Sequence, residues 1–349
     1  MRWLLIAAIA LLWAGFAGSH QARAAEPKIT VRVVGGLMGQ PVYTTKEAPF
    51  WQSRIVAATG GRLKGEITPF DRGGIRAEEM LNLIQLGVVP FGAIHFGSTF
   101  LSDPLLMGYD LPGLNPDFAT LRAHAAAFRP TIEARLRNEY DVELLAVYTY
   151  EAQVVFCAAP FADLSQLAGR RLRVSGAAMS RMIEALGGVP VIMPFAQIIE
   201  SVKRNVVDCV ITGAMSGNIL GLHRVTTHIS PISLTFGPIG FLANGAAWRR
   251  LPKDLQDIVR TELAKLEAEV WDMSEAATRE GISCNTGADP CRQGERGAMK
   301  LVPASAADQR RLQDVMRTVV LPDWIARCGE TCRSAWNDTI GADLRMAIP

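Results

Sequence analysis

The stretch GRRLRVSG, residues 169–176, sets three arginines within four positions directly before a run with almost no charge. Arginine does one thing that lysine cannot. Its planar guanidinium presents two parallel N–H donors matched to both oxygens of a carboxylate. If the segment is a strand, alternation puts Arg171 and Arg173 on one face and Leu172 and Val174 on the other, while Arg170 belongs to the preceding turn. Of the three, only Arg173 lies far enough toward the strand's carboxyl end to reach a cleft there. Its chemistry would be charge-assisted capture of an anion, with a structural ion pair to a nearby carboxylate as the plainer reading. Arg170 and Arg171 read as solvated surface cations.

Nothing else in the chain reads as catalytic. There is no G-x-S-x-G elbow, no H-E-x-x-H, no S-x-x-K in a convincing setting and no framed pair of carboxylates, so an exported hydrolase lacks its nucleophile and base. His223 and His228 stand five apart, on different faces of a helix, which suits polar residues at a helix end better than a metal pair. We expect no enzyme, no metal and no cofactor.

The compartment follows from the first residues. Arg2 precedes an apolar run from Trp3 to Phe16 that ends in small residues around Ala22, Arg23 and Ala24. This pattern reads as a secretory signal peptide over residues 1–24, released just before Ala25 or Glu26. The run is shorter than the roughly 20 residues that span a bilayer, although an uncleaved anchor is the alternative. Every later apolar run is broken by charge, Gly or Pro, so a soluble protein exported to a Gram-negative-type periplasm is expected. In that setting the six cysteines read as disulfides. Cys284 and Cys291, and Cys328 and Cys332, bracket short local steps, which leaves Cys157 with Cys209 in two apolar strand-like runs. A zinc site is the alternative, without paired C-x-x-C spacing or a nearby histidine.

About 325 residues remain after Ala24, more than one hydrophobic core usually organises, so two domains are expected. Lys and Arg number 36 against 34 Asp and Glu, with no long basic block, which excludes a nucleic-acid or anionic-membrane partner. Strand-like KITVRVVGG, GEITPF and VVPFGAIHFG alternate with helical patterns over 41–58 and in AEEMLNLIQLG. After a helical stretch over 116–140 comes VELLAVYTY, and the pattern then restarts: RRLRV, VPVIM and VVDCVIT alternate with helices over 177–186 and in FAQIIESVKRN. Parallel strands buried on both faces are implied. Leu255, Ile258, Val259, Leu263, Leu266 and Val270 form a stripe at helical period over 252–280, about 40 Å long and able to brace two domains. The outline is an α/β, two-domain venus-flytrap solute-binding fold. We expect residues 26–150 with 239–278 in one domain and 151–238 with 279–349 in the other. In such sheets the ligand sits outside the carboxyl ends of the strands, in a shared cleft.

LAGRRLRVSG, ALGGVPVIMPFAQIIESVKRNVVDCVIT and WRRLPKDLQDIV together resemble the solute receptors of tripartite ATP-independent periplasmic (TRAP) transporters. The likeness is dense over 162–260 and continues in order, more weakly, through the rest of the mature chain. It implies a long helix over both domains and a cleft that closes around a small organic acid, delivered to membrane permease subunits driven by an ion gradient. We expect the receptor to act as a monomer. The arginine of the family's "kiRv" strand pairs with the ligand carboxylate, and here it falls on Arg173. Phe195, in MPF, matches a position where an aromatic ring lines the pocket, with core packing as the alternative. Two positions depart from the family pattern. Gln153 stands where some members have a second arginine, and Thr212 where many have an asparagine, which counts against a standard sialic acid or C4-dicarboxylate ligand.

Loops at the strand ends of the first domain would supply the facing wall, and from them we single out Gln40, Tyr43, Arg72, His95 and Ser98. His95 reads equally as a structurally satisfied histidine. Arg72 reads as solvated unless it turns into the cleft, where it would suit a second carboxylate. A sensor module handing its ligand-bound form to a membrane receptor would carry the same features.

Overall fold

The computed structural model describes residues 28–348, so the expected signal peptide lies outside the described residues. The alternating pattern resolves into two sheets. The first orders β2 (Leu63–Pro69), β1 (Ile29–Gly35), β3 (Phe91–His95), β10 (Pro238–Asn244) and β4 (Val142–Thr149). The second orders β11 (Lys300–Leu301), β9 (His228–Thr235), β5 (Gln153–Cys157), β8 (Cys209–Gly213), β6 (Arg171–Val174) and β7 (Val189–Ile192).

β1 to β3 run parallel, as do β6, β7 and β8. The expectation of parallel strands fails at β10 and β5, which run against both of their neighbours. Connectivity explains this. The chain passes from β4 to β5 through residues 150–152 and from β9 to β10 through 236–237, so β5 and β10 each enter a sheet at the edge where its parallel strands finish. A strand entering there must run backwards.

Among the helices that accompany these sheets are α1 (Ala177–Ala185), α2 (Ala214–Leu220) and α3 (Lys253–Thr286). The apolar stripe predicts that α3 ends near residue 280. It continues to Thr286 and stops at Gly287, whose φ of 80° is the left-handed conformation of a helix C-cap. At 34 residues it is about 50 Å long. The extra turns carry small residues because α2 packs against them: a Cβ on Gly281 would collide with the Met215 backbone. The other end of α3 is tied to the first half by Arg54 to Glu262 at 2.7 Å and Arg62 to Asp254 at 2.6 Å. Helix α3 thus lies over both halves.

Between those ends α3 meets β4, the edge strand of the first sheet. A sheet edge leaves main-chain groups without ladder partners. Glu267, Trp271, Ser274 and Thr278, spaced to share one helix face, supply them. Glu267 accepts from the Val147 amide at 2.8 Å, and the Trp271 indole donates to the Val147 carbonyl at 2.9 Å. Ser274 donates to the Thr149 carbonyl at 2.7 Å, and the Ala152 amide donates to Thr278 at 2.9 Å.

The C-terminal segment, assigned above to the second domain, touches both halves: residues 316–320 pack on α1, while the Trp324 indole donates to the Pro104 carbonyl at 2.6 Å. Cysteines pair as Cys157–Cys209, Cys284–Cys291 and Cys328–Cys332.

Trp51 centres the first core, fully buried and stacked at 5.5 Å on Phe241. Gly65 of β2 lies directly beneath it, and a Cβ there would fall 2.6 Å from the indole. With Phe50 and Phe91 closing its flanks, the ring has no room to retreat. Gly65→Ala is therefore expected to cost about 2 kcal/mol by overpacking, read as a lower urea midpoint. An unchanged midpoint would show that the ring can move.

Candidate functional site

Parallel strands end on one edge of their sheet, and here the two edges face each other. In the first sheet that edge carries Gly35, Pro69 and His95, with Pro238 and Thr149 level with them on the reversed and outer strands. In the second it carries Val174, Ile192 and Gly213, with Gln153 and Thr235 level with Gly213. Crossings of three and two residues join these edges, so the space between them is a narrow cleft with a strand end on every side.

Arg173 stands at this edge of the second sheet and is buried. A guanidinium has five N–H donors. Nε and Nη2 donate to the Met193 carbonyl at 3.1 and 3.0 Å, and Nη1 donates to the Ile211 carbonyl at 2.9 Å. Two N–H groups are left. Burial alone pulls the guanidinium down to about 10, so it stays cationic at neutral pH. Among the described residues no carboxylate pairs with it, and no other arginine or lysine is buried. Its neighbours in GRRLRVSG lie nearer the surface. Arg171 is clamped by Asp208 through two bonds of 3.0 and 2.7 Å, and Arg170 donates to the Ala159 and Pro160 carbonyls. These ties hold the strand while leaving Arg173 available.

Arg173 is in register with Val210, two residues before Thr212, so Arg173 and the buried Thr212 share one face of the sheet. Gln153, in register with Gly213, begins β5 at the same edge, and its amide donates to the Glu151 carbonyl at 2.9 Å. Phe195 is half-buried against the core and meets the other lobe, where a Cβ on Gly39 would sit 3.9 Å from its ring.

On the facing wall, His95 is half-buried at the end of β3, with Nδ1 3.3 Å from the Ser98 hydroxyl. Burial first, then the charge of Arg173 across the cleft, push its imidazole down to about 4. It is neutral at pH 7. Its ring lies 6.2 Å from that of Tyr150, and Gly97 must be a glycine because a Cβ would fall 2.7 Å from the imidazole. Tyr43 is buried under Gly35, its phenol pushed up by burial and by Glu47 and Asp71. Gln40 is buried too, and its side-chain amide contacts the Ser216 hydroxyl of the opposite lobe. Arg72, by contrast, is exposed on the loop after β2.

Several residues at this edge were not singled out from the sequence. Glu151, in the first crossing, is buried and accepts from the Ser216 amide at 2.6 Å as well as from its hydroxyl. Glu47 accepts from the Gly36 amide and the Tyr148 hydroxyl, both at 2.6 Å, and burial pushes its carboxyl up. Asp110 holds the second crossing, accepting from the Phe236 and Gly237 amides at 2.9 and 3.0 Å, from Asn115 at 3.0 Å and from the Thr235 hydroxyl. Burial pushes Asp110 up to about 6. The available signal was the run YTYEA between two strands: polar residues in a three-residue link must be held by something.

The contacts between Gln40 and Ser216, Gly39 and Phe195, and Gly97 and Gly176 all cross from one lobe to the other, so the cleft is shut. A groove of about 770 Å³ beside α3, lined by Thr45, Lys46, Ile219 and Met273 among others, shares none of the cleft residues. Among the described residues no group of side chains could hold a metal ion, and no helix is long and apolar enough to cross a membrane.

Comparison with known proteins agrees with this geometry. The family model described as bacterial extracellular solute-binding protein, family 7, matches residues 39–321. Among solved structures, DctP7, a Bordetella pertussis extracytoplasmic solute receptor binding pyroglutamic acid, is similar at TM-score 0.77 and 22% identity, covering 88% of this chain and 99% of its own. A TRAP periplasmic solute-binding protein from Desulfovibrio salexigens with bound orotic acid is similar at TM-score 0.79 and 15% identity, covering 91% and 100%. One from Rhodoferax ferrireducens with bound malonate is similar at TM-score 0.76 and 16% identity, covering 90% and 99%. At such identities the likeness establishes a shared fold.

Proposed function

The chain belongs to the bacterial extracellular solute-binding proteins of family 7, the solute receptors of TRAP transporters, and on that premise we propose that it closes on a small organic acid held by Arg173 and delivers it to an ion-gradient-driven membrane permease. The observation that carries this reading is a buried guanidinium at the strand ends with two N–H groups left and, among the described residues, no carboxylate paired with it. Burying an unpaired charge is costly, and a ligand carboxylate would supply the missing partner with bidentate geometry. The acids named for similar structures, pyroglutamate, orotate and malonate, are small and each carries a carboxylate.

In this reading Thr212, Gln153 and Phe195 line the Arg173 side, and His95, Ser98 and Tyr43 the facing side. Gln40, bonded to Ser216, latches the lobes, and the exposed Arg72 is a rim residue. The lobes comprise 26–150 with 239–278 and 151–238 with 279–349. The protein is exported to the periplasm behind residues 1–24 and works there as a monomer, an oxidising setting that suits its disulfides.

The test is a thermal-shift screen of the purified protein over organic acids, followed by uptake of the best ligand into vesicles carrying the small and large permease subunits. A rise in melting temperature with at least one carboxylate, and uptake that depends on added receptor, are expected. Binding without receptor-dependent uptake would replace transport by sensing.

A further inference from the structure

The charges around the cleft are distributed unevenly, and this bears on how many carboxylates its ligand carries. Arg173 is the one buried arginine or lysine among the described residues. The candidate residues that share its sheet face or edge on its own lobe are uncharged: Thr212 on the same face, and Gln153 at the same edge. The facing wall offers no second cation. His95 lies opposite Arg173 as a neutral ring, held so first by its burial and then by the charge of Arg173. Beyond His95 comes Tyr150, and the buried carboxylates that act on Tyr150 are those of Glu47 and Glu151. Arg72 does not balance them, being exposed in the shut cleft, whereas a clamp for a second desolvated carboxylate must itself be withdrawn from water as Arg173 is.

Given the reading of Arg173 as the carboxylate clamp, on which this rests, we propose that the receptor selects monocarboxylates whose far end is neutral or donates hydrogen bonds, and rejects dicarboxylates of the same length. One carboxylate enters opposite the two N–H groups left on Arg173. A second, at the other end of a small molecule, would come to rest near His95, Tyr150 and two buried carboxylates, where like charge and lost hydration both oppose it. A hydroxyl, lactam N–H or hydrocarbon end meets no such opposition.

The experiment is isothermal calorimetry on the full mature chain with matched pairs, 2-hydroxybutyrate with malate, butyrate with succinate, and pyroglutamate with glutarate, repeated on Arg173→Ala with circular dichroism as a check of folding. The expected result is one or more monocarboxylates bound through Arg173, each with its dicarboxylate partner at least about 100-fold weaker. A dicarboxylate bound as tightly as its partner, with binding lost in Arg173→Ala, overturns the selectivity and leaves the carboxylate receptor standing. Failure of every acid to bind, or binding indifferent to Arg173→Ala in a folded protein, overturns the receptor reading and the selectivity with it.

Discussion

Replacing Arg173 by alanine is expected to lower affinity for the cognate acid by about 30- to 5,000-fold, the equivalent of about 2 to 5 kcal/mol for truncating one partner of a buried charged pair. The fold should survive, because among the described residues the side chain bonds to the Met193 and Ile211 carbonyls and anchors no charged side chain. Calorimetry gives the affinity, and a ligand-free thermal melt shows whether the fold is kept. Arg173→Lys should recover only part of the loss, since an ammonium restores charge but not two parallel donors. Undiminished binding by the alanine variant would remove Arg173 from its role.

The second large effect is on stability. Cys157 and Cys209 face each other across β5 and β8, with Cα atoms 4.0 Å apart, and their bridge closes a loop of 52 residues. On the chain-entropy account such a loop stabilises by about 4 kcal/mol, against about 2 for the seven-residue step of Cys284–Cys291. The double variant Cys157→Ala, Cys209→Ala should lose about that much in urea unfolding, and reductant should then shift its midpoint less than it shifts the parent's. The bridge sits at the end of β5 opposite Gln153, away from the cleft. Ligand affinity should therefore hold while stability falls, and a matching loss of affinity would mean that the cleft geometry depends on the bridge.

Much of this architecture was legible in the sequence because its signals are local. Alternation in RRLRV placed Arg173 on a strand, and glycines and caps bounded the helices. The position of Cys157 and Cys209 in two apolar runs favoured their pairing. The antiparallel course of β5 and β10 was not legible, since it depends on which sheet a strand joins after a short link. Nor was the set of Gln40, Ser216 and Glu151, whose members come from 65 to 176 residues apart, Glu151 and Ser216 within one lobe and Gln40 from the other. The ladder of Glu267, Trp271, Ser274 and Thr278 was hidden for another reason. Its spacing is visible, but polar residues on a long helix look like a solvated face until an open sheet edge lies beside them.

That ladder makes the two crossings mechanically unequal. The strand through residues 150–152 is pinned by Ser274 and Thr278, while the other turns at Gly237, with φ 78°, held by the one carboxylate of Asp110. If the lobes open, a joint fastened along one side would rotate about that side, with the pivot along β4 and β5. Arg173 lies on β6, two strands from β5, a lever arm of about 10 Å at roughly 4.8 Å per strand. A swing of about 20° about this pivot would carry its guanidinium about 3 Å, as far as a hydrogen bond is long. The proposed ligand clamp sits where a modest rotation about such a pivot would suffice to make or break its grip.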